Sequence, residues 1–172
     1  SSSRLEHTLL PKVLALPEDP ASPLRAPLSG EKRVSWSESL DLQEVKAVSR
    51  ALGCTVNDVL MSTVAGALGA YLRAEGFDTQ GISLRASVPM NLRGADDAMT
   101  LGNKFGLLFV ELPVGVSNPL QRAYTLHDTM RALKGSQQPP LTLTVLGLLG
   151  MLPNVMQGPA IELFSRKGSL VA

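Results

Sequence analysis

The chain is short of the residues that mark the commonest enzyme chemistries. Among 172 residues there is one cysteine, Cys54, and two histidines, His7 and His127. One Cys excludes an intrachain disulfide and fits a reducing compartment. No Gly-x-Ser-x-Gly elbow is present, which argues against a serine hydrolase, and neither a phosphate loop nor a dinucleotide fingerprint occurs. The formal net charge is +1, and Lys and Arg do not cluster. A phosphate backbone needs a basic footprint, so nucleic acid is excluded as a partner. Asp96 and Asp97 have no surrounding ligand set and read as a solvated loop; no metal and no redox cofactor are implied. At the N-terminus no charged region precedes an apolar core, so no signal peptide is visible. The longest apolar-type run, Leu141 to Leu152, is too short to span a bilayer. Aromatic residues make up 4% of the sequence.

What is present suits one domain with a real core. Five of the twelve prolines fall in the first 27 residues (Pro11, Pro17, Pro20, Pro23 and Pro27). Residues 1–32 therefore read as an extended linker or a segment lying across another domain, with plain disorder as the other reading. From residue 33 the pattern becomes regular, and residues 33–172 form the expected domain. Arg33 to Ser37 alternates as a short strand. Asp41 can cap a helix through Leu42, Val45, Val48 and Leu52, stopped by Gly53. Ile82 to Val88 alternates as a half-buried strand, and Phe105 to Leu112 suits a buried one. Asn91 to Gly102 reads as a loop. Asn118 and Pro119 open a helix to Lys134, with Leu120, Tyr124, His127 and Met130 on one stripe. Strands and helices alternate, so the fold class is α/β, a mixed sheet with flanking helices.

The most informative stretch is Thr55 to Gly66. Thr55 is an N-cap, and Asp58 three residues on completes a capping-box pattern; Cys54 and Val59 stand at the ends of a hydrophobic staple. The helix runs through Val64, Leu68, Tyr71 and Leu72 to a stop at Gly76. Gly66 and Gly69 weaken an exposed helix by roughly 1 kcal/mol each, which points to close approach of another backbone. Asn57 and Asp58 place two polar groups at the mouth of an apolar helix. They either complement the helix N-terminus alone or take part in a site. His127 has apolar stripe neighbours and reads as a packed or half-exposed structural residue, and Cys54 lacks a paired His.

Several segments together resemble the wax ester synthase/diacylglycerol acyltransferase family of bacteria and plants. Thr55-Val56-Asn57-Asp58-Val59 is similar to its Asn-Asp motif. Gly30 to Trp36 resembles its basic, Trp-containing strand. Val88-Pro89-Met90-Asn91-Leu92-Arg93 and Leu101-Gly102-Asn103 resemble two further segments, in order. The family's His-His-x-x-x-Asp-Gly motif, whose second His is the implied general base, is not in this chain: neither His7 nor His127 has an Asp four residues later.

The resemblance implies the C-terminal half of an acyltransferase, with the pattern continuing past residue 172. The implied architecture is one half of the coenzyme A-dependent acyltransferase fold, shared with chloramphenicol acetyltransferase and condensation domains. The implied activity is transfer of a long-chain fatty acyl group from acyl-CoA, as substrate, to a fatty alcohol or diacylglycerol. The catalytic His would come from the N-terminal half, and this chain alone would be inactive. Supporting residues would be Asn57 and Asp58. Asn91, Arg93 and Asn103 would face the substrate channel, with turn and strand-end hydrogen bonding as their plainer role. Gly135 to Ile161 contains no charged residue. It reads either as a buried helical hairpin or as a lipid-facing wall carrying Leu146 and Leu149, one turn apart. Expected partners are the N-terminal half, acyl-CoA, a lipid alcohol, and a membrane or lipid-droplet surface, with a cytoplasmic or peripheral location. Two other readings remain: a non-catalytic lipid-binding or scaffold half-domain, and a condensation-type enzyme with another acceptor.

Overall fold

A computed structural model describes residues 17–25, 30–91, 105–134, 158, 162 and 166–172. The order of elements is a short 3-10 turn at Pro23–Arg25, helix α1 (Leu42–Leu52), helix α2 (Val56–Ala74), strand β1 (Leu84–Asn91), strand β2 (Phe105–Leu112), helix α3 (Pro119–Lys134) and strand β3 (Leu170–Val171). The class is mixed α/β, as the alternating pattern implies.

Two compact units divide the chain. The first joins residues 1–19, 85–110 and 131–172 and holds most of the sheet, whose strand order is β2-β1-β3. Strands β1 and β3 run parallel, with Ala86 opposite Leu170 and Ser87 opposite Val171. Ala86, Leu108, Phe109 and Val110 are buried in this unit. The described part of the Pro-rich segment is tied down here. Asp19, 3% exposed, accepts from the Arg85 backbone N–H at 3.0 and 2.9 Å and from Ser169 Oγ at 2.5 Å. The Arg85 guanidinium donates to the Pro17 carbonyl at 2.6 Å. A buried carboxylate is tolerated where donors converge on it, and these fix the chain on both sides of β1.

The second unit comprises residues 20–84 and 111–130, with α1, α2 and most of α3. Asp41 caps α1 by accepting from the Gln43 N–H at 2.7 Å. The helix ends at Gly53, whose φ of 65° lies in the left-handed region that glycine enters without Cβ strain. After this break α2 sets off at 98° to α1. The inward face of α2 carries Asp58, Met61, Ser62, Ala65, Gly69 and Leu72. It shares the core with Leu84, Leu112, Val114, Ala123, Leu126 and Met130. At Gly69 a Cβ would run into the Val114 carbonyl oxygen, so the backbone approach expected there is present. At Gly66 the neighbour is instead the Arg122 guanidinium, which donates to the carbonyls of Ser62 and Val116, both at 2.8 Å. Glycine thus makes room for a side chain, not for a second backbone.

Three further expectations are corrected. Arg33 to Ser37 forms no strand: residues 31–40 are irregular and exposed, with Val34 84% and Trp36 85% accessible. Alternation makes a strand only where a neighbouring edge supplies hydrogen bonds. The strand expected from Ile82 begins instead at Leu84, because Ile82 is consumed by a turn. Its N–H donates to Thr79 and its carbonyl accepts from Gly115, each at 3.0 Å. On α3 the buried positions are Ala123, Leu126 and Met130, whereas Leu120 and Tyr124 are about half exposed. The i, i+3, i+7 row through Ala123 brings a small residue against the core, and the rotation it sets leaves the two larger side chains outside. Among the described residues, no single helix is long and apolar enough to cross a membrane.

Candidate functional site at the start of helix α2

The start of α2 is built locally. Thr55, in extended conformation, accepts from the Asp58 N–H through Oγ1 at 3.2 Å, and Asp58 Oδ2 accepts from the Thr55 N–H at 2.9 Å. This reciprocal pair is the capping box read from the sequence. It leaves Asp58 almost fully buried, with its side chain 2% exposed.

A second helix closes on that carboxylate. His127, near the middle of α3, donates from Nδ1 to the same Oδ2 at 2.8 Å, with a side chain 28% exposed. The other oxygen, Oδ1, is buried and has no hydrogen-bond partner among the described residues. Burial pushes the Asp58 carboxyl up. The His127 side chain and the backbone and hydroxyl of Thr55 pull it down and outweigh burial, so it titrates below the ordinary value of 3.8. The group is a carboxylate at neutral pH. Cys54 completes the cluster: its Sγ, a His127 ring nitrogen and an Asp58 oxygen all lie within 4.8 Å of one another. The thiol contacts the Leu52 carbonyl at 3.6 Å. Burial, then Asp58, then Asp128 push its pKa up, so it is a thiol and not a ready nucleophile.

Of the residues singled out in the sequence, Asp58 is a cap and more than a cap. Asn57 is exposed beside it. Cys54 does have a histidine neighbour. His127, read as a packing residue, is the half-buried partner of the motif. Sequence alone hides that pairing because 69 positions separate Asp58 and His127. The signals were a His on a helix and an Asp at a helix start, with nothing to link them. Asn91 ends β1. Arg93, Asn103, Leu146 and Leu149 lie outside the described residues, as do His7, Asp96 and Asp97.

Comparison with known proteins supplies the family. Residues 3–60 match the wax ester synthase/diacylglycerol acyltransferase catalytic domain, and residues 101–172 match the WS/DGAT C-terminal domain. The chain belongs to the wax ester synthase/diacylglycerol acyltransferase family. It is 35% identical over 153 residues to a probable diacylglycerol O-acyltransferase, tgs2, of Mycobacterium tuberculosis, covering 87% of this chain and 33% of that protein. To the probable diacylglycerol O-acyltransferase tgs1 of the same organism it is 30% identical over 146 residues, 85% of this chain and 31% of that one. The chain thus spans about a third of the length of these relatives. Asp58 falls in the stretch matched by the catalytic domain and His127 in the stretch matched by the C-terminal domain. Their hydrogen bond joins the two.

Proposed function

We propose that this chain is part of an acyl-CoA-dependent O-acyltransferase that moves a long-chain fatty acyl group to a fatty alcohol or diacylglycerol. The relatives' names support the acceptor class. In this reading the chain is one half of a two-sided fold of the chloramphenicol acetyltransferase type, and the general base comes from the other half. Alcohol acylation needs a base that takes the hydroxyl proton and donors for the developing oxyanion. The observation that carries the reading is the arrangement at the Asn-Asp motif. Asp58 is buried, capped and clamped by His127, and Asn57 next to it is left exposed at the helix mouth. A side-chain amide held on so rigid a support is placed to orient substrate or catalytic base across a cleft.

The outer face of α2 agrees with a missing half. Leu60, Val64 and Tyr71 are 42, 38 and 47% exposed and fall on one helical stripe. A helix apolar on both faces belongs inside a larger assembly. Arg93 and Asn103 at the channel, and Leu146 and Leu149 facing lipid, remain part of the proposal, as does a cytoplasmic site of action at a membrane or lipid-droplet surface.

The test is ester formation from labelled acyl-CoA. The 172-residue chain alone should give none, and supplying the N-terminal half should restore some. In the full-length enzyme Asn57→Ala should lower turnover far more than it lowers the melting temperature. Turnover by the isolated chain that disappears in His127→Gln would overturn this assignment of the base. Nδ1 turned to a buried carboxylate is also how a catalytic imidazole is oriented.

A further inference from the structure

We propose that Cys54, Asp58 and His127 form a divalent-cation site, selective for a borderline ion of the Zn2+ type, that clamps the start of α2 to α3. The inference is independent of the acyltransferase reading. Three side chains of the three commonest ligand kinds converge, each offering an atom within 4.8 Å of the others. They come from the residue before an N-cap, the first turn of the same helix and a second helix, all inside one compact unit. The second observation is the Asp58 carboxylate itself: its side chain is 2% exposed, yet Oδ1 has no hydrogen-bond partner among the described residues. Buried carboxylate oxygens find donors or cations, and no donor among the described residues reaches this one.

The ligand set selects the ion. Thiolate with imidazole suits Zn2+, whereas Ca2+ and Mg2+ take oxygen ligands. Around a tetrahedral Zn2+ the ligand atoms sit about 2.0–2.3 Å from the metal and so about 3.3–3.7 Å from each other. The ion takes the place of the proton shared across the 2.8 Å Nδ1–Oδ2 contact, and the unpartnered Oδ1 gives the same carboxylate a second oxygen to offer it. Three protein ligands leave a fourth position for water. In the metal-free protein burial, then the Asp58 charge, then the Asp128 charge push the thiol pKa up. A cation reverses that balance. The thiol loses its proton to solvent, and the His127 ring proton that Nδ1 donates to Asp58 in the metal-free protein moves to Nε2, which leaves Nδ1 to bind. One proton therefore leaves per ion bound.

Cobalt(II) added to the full chain under non-coordinating reducing conditions tests this. The sequence holds a single cysteine, so a sulfur-to-cobalt charge-transfer band can arise only from Cys54. The expected result is one ion per chain with that band and intense visible bands of a four-coordinate ion. Zn2+ should displace the cobalt, and one proton should be released per Zn2+ bound by metal-free protein. Cys54→Ser should abolish the charge-transfer band. Cys54→Ser and His127→Gln should each weaken binding at least about 100-fold, and His7→Gln should leave it unchanged. No charge-transfer band at millimolar cobalt in protein shown to be folded by circular dichroism overturns the site. So does binding undiminished in His127→Gln. Should Asp58→Asn or His127→Gln fail to fold, Cys54→Ser decides, because its partly exposed thiol carries little of the packing.

Discussion

Replacing Asp58 with Ala deletes two hydrogen bonds that meet at one atom, and the structure sets what each contributes. The bond from the Thr55 N–H, 2.9 Å long, is an N-terminal capping interaction of about 1 kcal/mol. The bond from His127, 2.8 Å long, is charge-assisted and contributes about 1.5–3 kcal/mol. His127 keeps a 28% exposed ring and can regain some water, which favours the lower figure. Removing the carboxylate also relieves the burial of Oδ1, which offsets about 1 kcal/mol or more. The net loss should be about 2 kcal/mol, against about 1 kcal/mol for Thr55→Ala. A double-mutant cycle of Asp58→Ala with His127→Ala should give a coupling of about 1–2 kcal/mol. The assay is urea unfolding followed by helical circular dichroism, since Trp36 is 85% exposed and reports little of the fold. The pH dependence has a definite sign. Asp58 titrates below its ordinary 3.8 when folded, so its contribution is complete above that value and is lost as pH falls through the lower folded one. A coupling within about 0.3 kcal/mol of zero at neutral pH would refute the claim that the pair holds the two helices together.

Other substitutions separate backbone from side-chain effects. Gly69→Ala should destabilise by about 2 kcal/mol, because the new methyl meets the Val114 carbonyl and overpacking exceeds the helix-propensity gain. Gly66→Ala should stay within about 1 kcal/mol of the parent, since the atoms it meets belong to the end of the Arg122 side chain; equal losses at both positions, read as urea midpoints, would contradict this. Gly53→Ala should cost about 1–2 kcal/mol for a Cβ in the left-handed region, and Gly53→Asn less. Asp19→Ala leaves the Arg85 N–H and Ser169 hydroxyl without their acceptor. It should speed amide hydrogen exchange at Ser169 and Ala172, which donate to Arg85 and Ser87, and unchanged protection there would show that Asp19 does not hold the parallel pairing.

Much of this architecture can be read from local chemistry. Asp41, Gly53, Thr55 and Asn118 mark helix ends because caps act over three or four residues, and each falls where the structure needs it. Strand β2 is legible because a run that is apolar apart from Glu111 has few other uses. The failures share one cause. Arg33 to Ser37 alternates but finds no edge, and the α3 stripe is rotated by packing that its own sequence does not specify. The site divides the same way. The Thr55–Asp58 half is written in four consecutive residues. The His127 half depends on how α3 comes to rest on α2, a contact set by tertiary packing.

The Asp58 carboxylate closes a ring of three residues with Thr55 and another of 69 with His127. These closures belong to different stages of folding. Closing the short ring loses little chain entropy, so it can form with the first turn of the helix; the long ring must wait until the intervening chain, which carries β1 and β2, is gathered in. Thr55 substitutions should therefore be felt mainly in the rate of folding, and His127 substitutions mainly in the rate of unfolding. The same carboxylate begins the helix and later locks it, so the motif's geometry is completed only after α3 has docked.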